Sequence, residues 1–256
     1  EMLAICAGMD AVTLQPVAGA QGEFTAIRCI QEYHRSNDQA HRDKVIVPDS
    51  AHGTNPASAS MCGYDIIEIP SGQDGRIDLE ALKSAVGDDT AAMMITNPST
   101  LGVFEKDIAE AASIVHEAGG QMYYDGANFN AILGITSPGL MGFDAVHFNL
   151  HKTFSPPHGG GGPGAGPVVL SDALAPLAPV PWVVLGDDGF ALVEHTDAAG
   201  DAKPFGRMKG FHGQMGMFVR ALAYMMSHGA DGLKQVSSDA VLNANYLLAR
   251  LSDELT

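Results

Sequence analysis

Asn149-Leu150-His151-Lys152-Thr153-Phe154-Ser155-Pro156-Pro157-His158-Gly159-Gly160-Gly161-Gly162-Pro163-Gly164 is the stretch that decides how this chain reads. It sets an amine, Lys152, between a strand-like run, Ala145-Val146-His147-Phe148, and a glycine-rich loop. Upstream, a second strand-like run, Gly120-Gln121-Met122-Tyr123-Tyr124, ends at Asp125. A lysine to bind an aldehyde and a carboxylate to keep a ring nitrogen protonated are the protein groups that pyridoxal phosphate requires. Lys152 is therefore the candidate Schiff-base lysine and Asp125 the candidate partner of the ring nitrogen. A free lysine titrates near ~10.4. The reading thus expects cationic neighbours and dry surroundings to lower that value at Lys152.

Working outward, strands and helices alternate. Lys44–Pro48, Tyr64–Ile69 and Ala91–Thr96 read as strands, as do the runs ending at Asp125 and near Phe148 and the segment Gly166–Leu170. Asp78 caps a predicted helix to Val86, and another spans Asp107–Glu117. This order predicts an α/β fold with a mostly parallel sheet and flanking helices. Ligands of such sheets bind beyond the carboxyl ends of the strands. Asp49, Thr96, Asp125 and the run His147 to Lys152 all fall there. Ala173–Pro204 is rich in Pro, Gly and Asp and reads as a loop excursion with room for a short hairpin. Gly213–His228 and Gly232–Leu255 read as two long helices. The predicted division is a cofactor-binding large domain over residues 1–230 and the start of a connection to a further small domain over 231–256.

Three more stretches join the constellation. Gln15-Pro16-Val17-Ala18-Gly19-Ala20-Gln21-Gly22-Glu23 precedes an amphipathic helix. Small residues at this helix start would expose the backbone N–H groups of Gly19, Ala20 and Gln21 to a phosphate, although they also suit a simple tight helix entry. Asp49-Ser50-Ala51-His52-Gly53-Thr54-Asn55-Pro56 follows a strand. Thr54 or Asn55 can cap the next helix. His52 is left over, and an imidazole there can stack on a flat ring and move protons. Thr96-Asn97-Pro98-Ser99 offers Asn97 or a nearby hydroxyl to the phenolic oxygen of the cofactor, or merely an Asn-Pro turn. Ala127 is small enough to lie under the ring. Gly159–Gly162 lacks the GxxxxGK[ST] order of a nucleotide loop, which excludes an NTPase reading.

The bulk properties bound the rest. The chain has 256 residues, 46% hydrophobic and 17% charged, a globular composition with a net charge of −16. Such a charge repels nucleic acid and anionic membranes, so neither is expected as a partner. No apolar run reaches the ~18 residues of a membrane span. Cys6, Cys29 and Cys62 have neither metal-ligand nor disulfide spacing and read as buried, reduced thiols; no metal is expected. Glu1–Ile5 and Tyr246–Leu251 both read as helix interior, and the chain is expected to be a piece of a longer protein.

Together, Ser50–Ala57, Tyr124–Asn128 and Asn149–Phe154 resemble the glycine-cleavage P-protein family, PLP-dependent glycine decarboxylases, over almost the whole chain. The likeness is to the catalytic C-terminal half, or to the second subunit of the two-subunit form. It implies a fold-type-I PLP enzyme with Lys152 as Schiff-base lysine, Asp125 on the ring nitrogen and His52 stacked on the ring. It also implies His151 and the Gly19-Ala20-Gln21 helix start near the phosphate. The implied reaction is decarboxylation of glycine, with the aminomethyl group passing to the lipoyl arm of H-protein. The implied partners are lipoylated H-protein and a second P-protein subunit or half, in an oligomer. The setting would be the cytoplasm of a bacterium or the mitochondrial matrix of a eukaryote. The family's N-terminal segment and C-terminal small domain are absent from this sequence, and Ser155 stands where many relatives are expected to differ. Two rival functions remain at this point: another fold-type-I enzyme, such as an aminotransferase or an aromatic amino-acid decarboxylase, and a non-catalytic subunit that completes a partner's site.

Overall fold

A computed structural model describes residues 1–254. Its centre is a seven-stranded sheet built from β1 (Ala11–Thr13), β2 (Lys44–Pro48), β3 (Asp65–Ile69), β4 (Thr90–Ile95), β5 (Gln121–Gly126), β6 (Ala145–Phe148) and β7 (Val168–Leu170). The strand order is β1-β7-β6-β5-β4-β2-β3. The β3-β2-β4-β5-β6 block is parallel. Only β7 runs against its neighbours, pairing antiparallel with both β6 and β1. No long helix separates β6 from β7, so the chain returns through a loop and reverses direction.

Side chains of the central strands alternate between two cores. Met93, Met122, Tyr124 and Val146 point into one, which also holds Ile108, Val115 and Leu233. Met94, Tyr123 and Ala145 point into the other, with Ala26, Ile27 and Ile30. Both faces are covered, as parallel sheets require. One cover comprises helices α1 (Met2–Ala7), α4 (Leu79–Ala85) and α5 (Ile108–Glu117), and the other α2 (Gly19–Ser36) and α3 (Thr54–Met61). Asp78 caps α4 as expected, accepting hydrogen bonds from the Glu80 and Ala81 N–H groups.

The excursion contains the hairpin anticipated there, β8 (Trp182–Gly186) with β9 (Gly189–Val193). The two helices expected near the end are found, joined as α7 (Met215–Leu251) across a kink at Gly229, where φ is 63° and ψ −175°. Leu255, the expected end of the second, lies outside the described residues. Of the thiols expected to be buried, only Cys29 is fully so; Cys6 and Cys62 are half-buried, and all three are free. No helix is long and apolar enough to cross a membrane, and no metal-binding group of His, Cys, Asp or Glu occurs among the described residues.

Candidate active site

The site residues lie at the carboxyl ends of β2, β4, β5 and β6. Asp125, in β5, pairs in register with His147 of β6, and both side chains are buried. Oδ1 of Asp125 accepts the Ala127 N–H at 3.0 Å and lies 3.7 Å from Nε2 of His147. The second carboxylate oxygen has no protein partner among the described residues. Behind His147, the Tyr123 hydroxyl bonds to Nδ1. Burial, then the carboxylates of Asp125 and Glu23, pushes that phenol well above its usual range. The phenol therefore keeps its proton. When it donates to Nδ1, the imidazole proton sits on Nε2 and faces Asp125.

Five residues beyond His147 comes Lys152, in the single turn α6 (Leu150–Thr153). Leu150 and Thr153, three apart, are the buried positions of this turn, which leaves Lys152 on its outer side. The Thr153 hydroxyl accepts the Phe129 N–H at 3.0 Å and thereby ties the loop after Asp125 to the lysine-bearing turn. The dry surroundings expected for Lys152 are not found: its side chain is exposed, because α6 sits at the open carboxyl edge of the sheet. His151 stands edge-on to His158 at 4.8 Å between ring centres. Burial, with His158 and Lys152 nearby, lowers its pKa.

The start of α2 is drawn in by glycines. A Cβ on Gly19 would lie 2.2 Å from Oδ1 of Asn149, and one on Gly22 would lie 2.8 Å from the Gly166 carbonyl and 3.0 Å from Cβ of His147. Ala18 is the N-cap, and no side chain caps the helix, so its first N–H groups are available to an anion. Gln21 offers its backbone alone. Its side chain folds back to accept the Val17 N–H at 2.8 Å and to donate to Met208, so only its backbone N–H remains for a phosphate. Lys209 also reaches this region and donates to the Leu14 carbonyl, and burial lowers its pKa to about 8.

Asn97 requires a correction. It is fully buried and its amide is committed to Glu105: Oδ1 accepts the Glu105 N–H at 2.9 Å, and Nδ2 donates to the Glu105 carbonyl and toward Met141 Sδ. These bonds pin the turn that follows β4 and leave Asn97 no donor for a ring oxygen. The alternative, a nearby hydroxyl, fits better. Oγ1 of Thr96 is buried with no hydrogen-bond partner among the described residues.

His52 is exposed, and its Nδ1 contacts the Thr54 hydroxyl at 2.8 Å. Neither expected cap acts as one. Gly53 is the N-cap of α3, the Thr54 hydroxyl donates to Glu23, and Asn55 is buried with both amide groups unpaired among the described residues. Two buried groups went unpredicted, Glu23 and His147. Both had a visible signal. Glu23 precedes Ala26, Ile27 and Ile30 at helical spacing, so it lies on the buried stripe of α2. His147 shares its inward parity with Ala145 in an otherwise apolar strand.

The unpaired buried atoms His147 Nε2, Asn149 Oδ1, His151 Nδ1 and Thr96 Oγ1 gather at these strand ends, beside an uncapped helix start and an aspartate with one oxygen free. An acceptor for a ring nitrogen, a row of N–H groups for a phosphate and a lysine amine suit pyridoxal phosphate. Fold and site together define a fold-type-I protein of the pyridoxal-phosphate-dependent class. The chain belongs to the aminotransferase class-V family, whose profile it matches over residues 20–182. The cofactor implied by that family and fold is pyridoxal phosphate.

Among curated relatives, a protein of Caulobacter vibrioides named "Probable glycine dehydrogenase (decarboxylating) subunit 2" is 58% identical over 249 residues, covering 97% of this chain and 48% of that protein. A protein of the same name from Staphylococcus epidermidis is 56% identical, covering 96% and 48% respectively. The chain thus spans about half the length of the curated relatives it matches. An inhibitor-bound crystal structure of glycine decarboxylase (P-protein) superposes with a TM-score of 0.77 at 22% identity, over 98% of this chain and 56% of that one. Mouse CSAD superposes at 0.72 with 14% identity, over 98% and 54%. These two likenesses concern the fold.

Proposed function

We propose that this chain is the cofactor-bearing half of a glycine decarboxylase of the glycine cleavage system, an aminomethyl-transferring glycine dehydrogenase. The observation that carries the reading is Asp125: a buried carboxylate with one oxygen fixed by the Ala127 N–H and the other free, in register with the strand that leads to Lys152. Names borne by relatives at 58% and 56% identity supply the substrate.

When bound, pyridoxal phosphate supplies an electron sink for the carbon that loses CO2. Asp125 holds a proton at the ring nitrogen, a charged hydrogen bond worth roughly 1.5–3 kcal/mol. Lys152 would anchor the cofactor through Nζ. The N–H groups of Gly19, Ala20 and Gln21 bind the phosphate, with His151 at the same end. His52 would cover one ring face and Ala127 the other, and the Thr96 hydroxyl would take the role first assigned to Asn97. The exposed setting of Lys152 calls for a covering surface, and a second P-protein subunit or half would supply it within an oligomer. The remaining partner is the lipoyl arm of H-protein, which receives the aminomethyl group. The α7 segment beyond Gly229 begins the connection to a further domain. A cytoplasmic setting is the reading that the bacterial sources of the relatives support.

The test is reduction with borohydride in the presence of pyridoxal phosphate, followed by peptide mapping. Attachment at Lys152, lost in Lys152→Ala, is expected. With the partner subunit and H-protein added, carboxyl-labelled glycine should release CO2 and bulkier amino acids should not. Absence of any adduct even with the partner half present, or preferential turnover of an aromatic amino acid, would overturn the proposal.

A further inference from the structure

Glu23 is a buried carboxylate that the proposed chemistry leaves unused. It sits in the first turns of α2 and accepts two hydroxyl hydrogen bonds from α3, Thr54 Oγ1 to Oε1 at 2.7 Å and Ser58 Oγ to Oε2 at 2.9 Å. The groups facing it are Thr54 and Ser58 on α3, Asp125 on β5 and His147 on β6. Thr54 is also the sole hydrogen-bond partner of the His52 ring among the described residues. Its hydroxyl lies 2.8 Å from Nδ1, and its backbone N–H lies 3.2 Å from the same atom.

Those two contacts to Nδ1 require opposite states of the ring. The backbone N–H needs a lone pair on Nδ1, whereas a hydroxyl oxygen whose hydrogen is already given away needs a proton there. Thr54 has a single hydroxyl hydrogen. An ionised Glu23 only accepts, so it takes that hydrogen and leaves Oγ1 with lone pairs alone toward His52. A bare Nδ1 at 2.8 Å would then set lone pair against lone pair. A protonated Nδ1 makes a hydrogen bond instead.

We propose that Glu23, acting through the Thr54 hydroxyl, is a positioning residue that holds His52 in the Nδ1–H tautomer and leaves Nε2 as the basic nitrogen. The assignment of His52 to the cofactor site rests on the proposed function, but the tautomer does not. Bound over the ring, His52 in this form can accept a proton at Nε2 and has none to donate there when neutral. Burial, opposed by His147, pushes the Glu23 carboxyl upward. Protonation reverses the relay, because a neutral Glu23 can donate to Thr54, which then donates to Nδ1.

The test is nitrogen NMR of the histidine-labelled chain without cofactor, above the pH at which the imidazole titrates, with the His52 signals assigned by their loss in His52→Gln. Wild type should show the proton on Nδ1. Thr54→Val removes the hydroxyl and leaves only the backbone N–H facing Nδ1, so the proton should move to Nε2. Thr54→Ser should retain the wild-type state. Glu23→Leu frees the Thr54 hydrogen for Nδ1 and should give the same shift as Thr54→Val. A wild-type ring already protonated on Nε2 would overturn the proposal without any variant, as would an unchanged tautomer in Thr54→Val. Because the readout needs no cofactor, failure here leaves adduct formation at Lys152 untouched, and failure of that adduct leaves the tautomer standing.

Discussion

The contact most exposed to refutation is the one between Gly166 and the start of α2. A Cβ on Gly166 would lie 2.1 Å from the Ala18 carbonyl oxygen, 2.5 Å from its carbon and 3.0 Å from the Gly19 nitrogen. All three are backbone atoms, so no side chain can swing aside, and Gly166 is itself held by its N–H bond to the Pro16 carbonyl at 3.1 Å. In Gly166→Ala the helix start must withdraw by about 1 Å. Overpacking of this kind costs about 1–3 kcal/mol. At roughly 2–4 °C per kcal/mol for a domain of this size, thermal unfolding should fall by several degrees. The same withdrawal carries the Gly19 N–H away from the phosphate. Losing one helix-terminus interaction worth up to ~2 kcal/mol should weaken pyridoxal-phosphate binding by up to roughly thirtyfold. Melting and a cofactor titration measure the two effects separately. Unchanged melting would refute the backbone contact. Lower melting with unchanged affinity would refute the placement of the phosphate at α2.

Asp125→Asn keeps an acceptor for the Ala127 N–H but loses the charge. Glycine decarboxylation should fall by roughly 10–100-fold while borohydride still fixes the cofactor on Lys152, and an undiminished rate would remove Asp125 from the ring nitrogen. His116 bonds to Asp144 at 2.7 Å, and this bond raises its pKa above the ordinary 6.5. A group raised on folding stabilises fully below its unfolded value and loses that contribution as pH climbs through the folded one. The stability lost in His116→Gln, read by denaturant titration, should therefore be larger at about pH 5.5 than at about pH 9; a deficit independent of pH would exclude a charged pair. Ser155 has a φ of 68°, a left-handed conformation that suits glycine. Ser155→Gly should stabilise the chain by about 0.5–1 kcal/mol, seen as a higher melting temperature, and a decrease would mean that its side chain contributes more than its backbone costs.

The sheet was legible because each central strand is a short apolar run bounded by turn residues and separated from the next by a helical pattern. Lys44–Pro48 matches its observed strand residue for residue. The three-residue β1 was not legible, since Ala11–Thr13 is too short to show alternation and is a strand only through its partner β7. Of the site, sequence supplied the residues whose type is unusual for their place. Asp125 ends an apolar run, and Lys152 stands before four consecutive glycines. It failed where several groups could fill one role. Asn97 and Thr96 sit side by side at the same strand end, and only the bonds of Asn97 to Glu105 reveal which of them is spent. The exposure of Lys152 was hidden for a different reason: it depends on which side of a four-residue turn faces inward, and Leu150 and Thr153 decide that.

Gly22 and Glu23 show how closely the two ends of the site are coupled. Gly22 allows α2 to rest against Cβ of His147 and the Gly166 carbonyl. That approach brings the helix N-terminus to the proposed phosphate position. It also carries the next residue, Glu23, into the space behind His147 and under α3, where Thr54 and Ser58 meet it. One small residue therefore sets both the position of the proposed anion site and that of the buried carboxylate proposed to act on His52. The coupling has a direction. A bulkier residue at position 22 must push α2 outward from β6, which separates Glu23 from His147 as it separates the N–H groups from the phosphate. A change at Thr54 reaches His52 and Glu23 but leaves α2 packed on β6. The two perturbations thus distinguish a site held by helix packing against His147 from one held by the hydroxyl relay to His52.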